Sequence, residues 1–224
     1  MKKKENAKVI DLKGLKPREA NRLVKENAKK YAKLKIINPN SMNYLAAGLI
    51  GEAEITVEGD LGYYAGSMID GIKMRVNGRC GWYPADNMAS GEIIITGEGG
   101  DGAGQGMYGG TLYVKENTNS RTGQIMKNGT IIVGGDAGFM TGLYMMGGKI
   151  IVLGDMEEGA GESMIGGKIF FGGKAKSFGK NVQVGNPTAE EIEEIKKLFS
   201  KYKINSEPKK FKKLTPKKDR PVYG

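Results

Sequence analysis

The sequence has no histidine and a single cysteine, Cys80. The first absence removes the side chain most often used as a general base and as a metal ligand. The second excludes a disulfide framework and a cysteine-ligated cluster within the chain. Proline is scarce, at seven residues, and no G-X-Y triplet runs through the 36 glycines, so a collagen-like chain is excluded. No apolar run approaches the length of a membrane span, and the opening MKKKENAK lacks the apolar core of a signal peptide. A soluble cytoplasmic protein with no membrane partner is the expectation, and 224 residues suffice for one good core.

What the chain does have is positive charge, glycine and repetition. Residues 1–35 carry thirteen Lys and Arg against four Asp and Glu, and residues 203–224 carry eight against two. The body between them is acidic, with a net charge of −5 within a chain of net +10. A nucleic-acid binder usually interleaves aromatics with cations on one basic face. Here the cations sit in the terminal segments, which read as solvated arms or arms that dock on an acidic partner, with no nucleic acid expected.

One stretch imitates a cofactor site. In EIIITGEGGDGAG (Glu92–Gly104) the run from Gly97 to Gly102 matches G-x-G-x-x-G, and Glu116 stands near the place of a ribose-binding carboxylate. That motif must end a strand and open a helix. The following QGMYGGTLYVKE holds two more glycines and then a strand-like run, so no amphipathic helix fits and no dinucleotide is expected.

The glycines belong to a repeat. Strand-like runs end at Gly59, Gly78, Gly97, Glu116, Gly135, Gly154 and Gly173, a constant 19-residue period. Four residues before each end stand Ile55, Met74, Ile93, Leu112, Ile131, Ile150 and Ile169, and two before stand Val57, Val76, Ile95, Val114, Val133, Val152 and Phe171. Period-two apolar residues mark one buried face of a strand. Seven residues after the first six ends lie Gly66, Ala85, Gly104, Gly123, Gly142 and Gly161, followed by a methionine column, Met68, Met88, Met107, Met126, Met145 and Met164, in which Met68 arrives one residue early. Units of this length suit an all-β fold, a parallel β-helix of about seven 19-residue coils over residues 36–185. The methionines read as a core ladder in preference to a soft-metal site, because no Cys or His joins the column.

A solenoid needs closed ends. Residues 1–35 read as a basic N-terminal helical segment, with a helix from Pro17 to about Leu34. Residues 186–204 read as a C-terminal helix: Thr188 and Glu191 form a capping box, and Ile192, Ile195, Leu198, Phe199 and Tyr202 one apolar stripe. Both helices fit capping and docking equally. Residues 205–224, rich in Lys and Pro, read as a basic tail, extended or disordered until bound. RCGWYPADN (Arg79–Asn87) departs most from the repeat, and its Trp82 and Tyr83 are a packed corner or a partner anchor, the packed corner being favoured.

Several segments resemble a known family. GDGAGQGMYGGTLYV (Gly100–Val114), SRTGQIMKNGTIIVGGDAGFMTGLYMMGGKIIVLG (Ser120–Gly154) and GESMIGGKIFFGGKAKSFGKN (Gly161–Asn181) are similar to the glycine-repeat, or GxGxG, domain of glutamate synthase large chains. IDLKGLKPREANRLV is similar to the first helix of its archaeal stand-alone form, and the corresponding scaffold subunit of formylmethanofuran dehydrogenase is a sister family. The resemblance implies a right-handed parallel β-helix that serves as a scaffold. It implies FMN and an iron–sulfur cluster in a partner synthase subunit and a glutamine amidotransferase subunit as second partner. For this chain it implies no catalytic, cofactor-binding or metal-binding residue, no cofactor of its own, and no evident activity alone. Glu116 replaces a coil-ending glycine, and ENTNSR is expected to widen that corner as a contact loop. The alternatives are the formylmethanofuran dehydrogenase scaffold, a stand-alone hydrolase using Ser67, Ser90 or Ser163 with a lysine, and a nucleic-acid-binding module acting through the basic tails.

Overall fold

Isoleucine and valine at alternate positions favour extended backbone, and stacking such strands buries their shared face. The structure, a computed structural model that describes residues 5–217, builds seven of them. They are β3 (Glu54–Glu58), β4 (Lys73–Asn77), β5 (Glu92–Ile95), β6 (Thr111–Val114), β7 (Thr130–Val133), β8 (Lys149–Val152) and β9 (Lys168–Phe171). Each pairs in parallel with the next, and equivalent residues of successive repeats meet: Ile55 with Met74, Ile93 with Leu112, Ile131 with Ile150, Ile150 with Ile169. Both inward columns are buried throughout, from Ile55 and Val57 to Ile169 and Phe171. The chain is a parallel β-solenoid of about seven turns.

Only one side of each coil is a strand. The far side is a run of turns tied to neighbouring coils by single parallel bridges at Met42, Leu61, Cys80, Gly99, Thr118, Ala137, Met156 and Ala175. Cys80 is buried in the core, and burial pushes its thiol far above the usual range, so it is no nucleophile. The methionine column lines the same core: Met88, Met107, Met126, Met145 and Met164 are all buried. Its first position is held by Ile69, one repeat before Met88, and not by Met68, which is 57% exposed. Met68 has the polarity of the column but the wrong register.

The corner after the strand shows why glycine recurs. Gly66, Gly104, Gly123, Gly142 and Gly161 have φ between +64° and +76°. A Cβ on Gly104, Gly123 or Gly142 would also come within 2.4–2.5 Å of the δ-methyl of Ile131, Ile150 or Ile169, a residue of the second strand along the chain. Conformation and space thus act together.

The two ends depart from the sequence reading. At the front, α1 spans Pro17–Lys30 only, flanked by β1 (Glu5–Asp11) and β2 (Tyr31–Ile37), which pair in parallel. Residues 31–34 are strand and not helix, because YAKLKII alternates and β2 pairs with β1 on one side and β3 on the other. Helix α1 takes the place of one coil's turns: Ala20, Val24 and Ala28 join the core beside Leu34, Ile36 and Leu45. At the rear, β10 (Val182–Gly185) is followed by α2 (Ala189–Tyr202) and then by β11 (Lys212–Pro216). Strand β11 inserts between β9 and β10, antiparallel to both. The described part of the expected basic tail is thus built into the sheet, with Phe211 and Leu214 buried, while residues 218–224 lie outside the described residues.

Candidate interaction surface

The outward middle residue of each strand decides which face is free. Along the sheet this column reads Thr56, Arg75, Ile94, Tyr113, Ile132, Ile151 and Phe170, polar in β3 and β4 and apolar from β5 to β9. Helix α2 lies over the apolar part. Ile195 and Phe199 pack with Tyr113, Ile132, Ile151, Phe170 and Phe211 in a second core outside the solenoid. Closure by the C-terminal helix is therefore lateral. The period-two strand reading followed only the inward columns; the same count at the middle position would have located the helix footprint.

Charges fix the direction of α2. Glu191 meets Lys168 at 2.6 Å and Lys213 at 2.8 Å, Glu194 pairs with Lys149, and at the far end Glu92 accepts from Tyr202 Oη at 2.5 Å and from Lys201. The capping box is present: Glu191 Oε2 accepts from the Thr188 N–H at 2.8 Å, and Thr188 Oγ1 from the Glu191 N–H at 3.3 Å. Burial raises the Glu191 carboxyl, but hydrogen bonds from Lys168, Lys213 and the Thr188 backbone outweigh it and bring it down to about 2. Burial likewise raises Glu92, and the Lys201 and Tyr202 hydrogen bonds bring it below the usual carboxylate range.

With the strand face covered from β5 to β9, most of the large exposed apolar groups lie on the turn side. In the front coils Tyr44 is 51% exposed, Tyr63 41% and Trp82 48%. Further along, Tyr108, Tyr144, Met146 and Ile165 are exposed as well, and Lys127 Nζ lies 4.5 Å from the Tyr108 ring centroid. The front rings form two ladders. Tyr44 stacks on Tyr64 at 5.4 Å and Tyr64 on Tyr83 at 5.0 Å, while Tyr63 stacks on Trp82 at 4.8 Å. The favoured packed-corner reading of Trp82 and Tyr83 gives way here: Trp82 is half exposed, because its ring stacks on Tyr63 at the surface instead of entering the core. Burial and the nearby Tyr83, Asp86 and Tyr44 push the Tyr64 phenol up.

The other residues singled out from sequence have structural places. Gly99 occupies the bridge column, a Cβ on Gly102 would meet the Tyr83 ring at 2.3 Å, and Gly104 faces Ile131. No helix follows them. ENTNSR keeps the length of the repeat, with Thr118 bridging Gly99 and Ala137, so that corner is not widened. Ser67 is buried with its hydroxyl unpaired, Ser90 Oγ donates to Asp70 at 2.5 Å, and Ser163 Oγ donates to Glu162 at 3.0 Å. A shallow hollow of about 350 Å³ is lined by Asp136, Asp155, Glu157, Lys174 and Lys176. Its aspartates are committed to the fold: Asp136 accepts from the Asp155 N–H at 2.7 Å and Asp155 from the Lys174 N–H at 2.6 Å. Among the described residues no group of three His, Cys, Asp or Glu could hold a metal ion, and no helix is long and apolar enough to cross a membrane.

A glycine-cornered parallel β-solenoid whose strand face is covered by a helix from β5 to β9 and whose turn face is rich in exposed rings defines a class of repeat protein. The chain belongs to the GXGXG motif family, whose sequence model matches residues 18–219. It is similar in fold to a chain of the formyltransferase/hydrolase complex (FhcABCD) from Methylorubrum extorquens, solved with methylofuran. The TM-score is 0.70 at 22% identity, covering 88% of this chain and 84% of that one. No curated protein matches.

Proposed function

We propose that this chain is a non-catalytic scaffold subunit of a glutamate synthase assembly, seating an FMN- and iron–sulfur-containing synthase subunit against a glutamine amidotransferase subunit. The observation that carries the scaffold role is the turn face. Large rings and thioethers stand exposed there on successive coils, at the spacing of the repeat. Such groups are enriched at the centres of protein interfaces. The choice of assembly rests on the resemblance of Gly100–Val114 and Ser120–Gly154 to the glutamate synthase repeat domain. The partners would supply the cofactors and the chemistry.

A second reading, a scaffold resembling the corresponding subunit of formylmethanofuran dehydrogenase, is favoured by one specific observation. The structural neighbour belongs to a formyltransferase/hydrolase complex. Purification of the tagged chain from its native cell, with co-eluting chains identified by mass spectrometry and bound cofactors by absorption and metal analysis, separates the two. Flavin- and iron–sulfur-containing chains are expected. A molybdenum or tungsten enzyme would establish the second reading, and ester hydrolysis by the isolated chain would overturn both.

A further inference from the structure

The front aromatic ladders are costly where they stand. Tyr44, Tyr64 and Tyr83 all have φ near +60°, at +61°, +59° and +60°. Bulky side chains rarely adopt that conformation, and glycine adopts it freely. Later coils hold Gly102, Arg121, Met140 and Gly159 at the same corner, so the fold accepts glycine there and does not itself select a ring. Three tyrosines in succession, partly exposed and stacked on one another, are not explained by core packing. Strain of this kind persists where something else repays it.

The surroundings of the rings are acidic. Trp82 is followed in its column by Asp101, whose backbone oxygen accepts from the Tyr83 N–H at 2.7 Å. Asp86 is buried next to Tyr64 and already accepts from Asn87 Nδ2 and Gln105 Nε2, whereas Asp70, six residues beyond Tyr64, is exposed and accepts from Ser90 Oγ alone, and Asp101 is half-buried and accepts from the Ser120 N–H. None of Asp70, Asp86 and Asp101 forms an ion pair with Lys or Arg among the described residues. An occupant that suits aromatic rings beside such carboxylates carries guanidinium or ammonium groups.

The chain itself supplies such an occupant. On α1, Arg18, Arg22, Lys25 and Lys29 are exposed at helical spacing, opposite the buried Ala20, Val24 and Ala28. These four cations also form no ion pair among the described residues. The helix adjoins the ladder, since Asn21 Oδ1 accepts from the Ala46 N–H at 2.8 Å, close along the chain to Tyr44. A surface that carries a cationic stripe next to an aromatic, acidic ladder is self-complementary, as a two-fold dimer requires.

We propose that a second copy of this chain docks on the Tyr44–Tyr64–Tyr83 and Tyr63–Trp82 ladders, its α1 cations meeting the rings and the accessible Asp70 and Asp101, and the contact being repeated by symmetry. This goes beyond the scaffold reading and does not depend on which enzyme the scaffold serves. The rings set the area: five partly exposed aromatics of about 150–250 Å² each leave several hundred Å². Together with the stripe this approaches the roughly 800 Å² per partner of a standard interface.

Sedimentation velocity of the isolated full chain from about 1 to 100 μM tests the proposal. Wild type is expected to be dimeric at the upper end, with at least tenfold weaker association at 500 mM than at 50 mM salt. Trp82→Ala and the pair Arg18→Glu with Arg22→Glu should each weaken association at least tenfold. Tyr64→Asn should do the same without lowering Tm, because asparagine tolerates the left-handed backbone. A monomer at all concentrations, or a dimer indifferent to these changes, overturns the proposal. A monomer whose co-purifying enzyme chain is lost on Trp82→Ala overturns it too, and assigns the ladders to that chain. A wild-type dimer with which no enzyme chain co-purifies would count against the scaffold reading alone.

Discussion

The corner glycines show how one residue's identity is set by a neighbour in another coil. Gly66, Gly104, Gly123 and Gly142 each face the δ-methyl of an isoleucine on the second strand along: Ile93, Ile131, Ile150 and Ile169. The exception at this corner is Ala85, with φ of +60°, and the residue in the matching place on its second strand along is Leu112. Leucine branches one carbon further out, so the corner opposite it has room for a methyl group. Gly123→Ala is therefore expected to cost about 2–4 kcal/mol through overpacking and positive φ. Ile150→Leu alone should cost less than about 1.5 kcal/mol, as volume-conserving swaps do. Together they should recover about 1 kcal/mol of the summed loss in a double-mutant cycle by chemical denaturation. Additive losses would mean that φ alone, and not the isoleucine, demands glycine. The corner column was legible in the sequence because small residues recur at the same place in every repeat. Glycine there also pointed to positive φ or close packing, but the isoleucine each corner meets was not legible, since that pairing leaves no local mark. Met68 misled for a related reason: it stands one residue early, and its apolarity drew attention from Ile69, which lies a full 19 residues before Met88.

The elements were legible where their period is strong and obscure where a partner far along the chain decides. Thr188 to Tyr202 carries its own cap, charge gradient and stripe, and it folds as the helix these imply. Tyr31 and Leu34 extend the apolar stripe of the helix, but YAKLKII also alternates, and pairing with β1 and β3 decides between the two patterns in favour of strand. The described tail has only Phe211 and Leu214 to announce β11, amid lysines whose stems lie on the sheet surface. At this scale Glu191 is the testable joint, since it caps α2 and binds a lysine from β9 and another from β11. Its folded carboxyl titrates near 2, below the ordinary value of 4.5. The stabilisation is therefore complete above about 4.5 and is lost as pH falls toward 2. Wild type and Glu191→Gln should differ most in Tm near pH 6, by the equivalent of about 2 kcal/mol, and converge toward pH 2. A difference that stays constant across that range would show that the charge on Glu191 contributes nothing to docking. In the same cluster Phe199→Ala should cost about 3–5 kcal/mol, with amide exchange in α2 rising before exchange in the solenoid.

For the whole molecule the repeat makes length a variable. A solenoid is stabilised by contacts between neighbouring coils, so removing one complete unit keeps every column in register. Deleting residues 117–135 removes β7 and joins Glu116 to Asp136; deleting residues 60–78 removes β4 and joins Gly59 to Arg79. Each deletion takes out one whole repeat, and each should leave a cooperative, shorter solenoid by circular dichroism. They should differ at α2. The helix reads the strands in order, Lys168 and Lys149 near its start and Glu92 at its end. Loss of β7 moves β4 into the place β5 held, so Lys201 would face Lys73 instead of Glu92, and the last turn of α2 would lie over Arg75 instead of Ile94. Loss of β4 leaves the footprint from β5 to β9 untouched. Hydrogen exchange at the C-terminal turn of α2 should therefore accelerate at least tenfold in the 117–135 deletion and stay as in wild type in the 60–78 deletion. Equal protection in both would mean that α2 finds any apolar sheet face adequate and that its charges do not read coil order. A deletion that stops one position short of a full repeat supplies the control, because the leftover residue must either bulge into the turn or slip the next strand by one and so turn that strand's inward side chains outward.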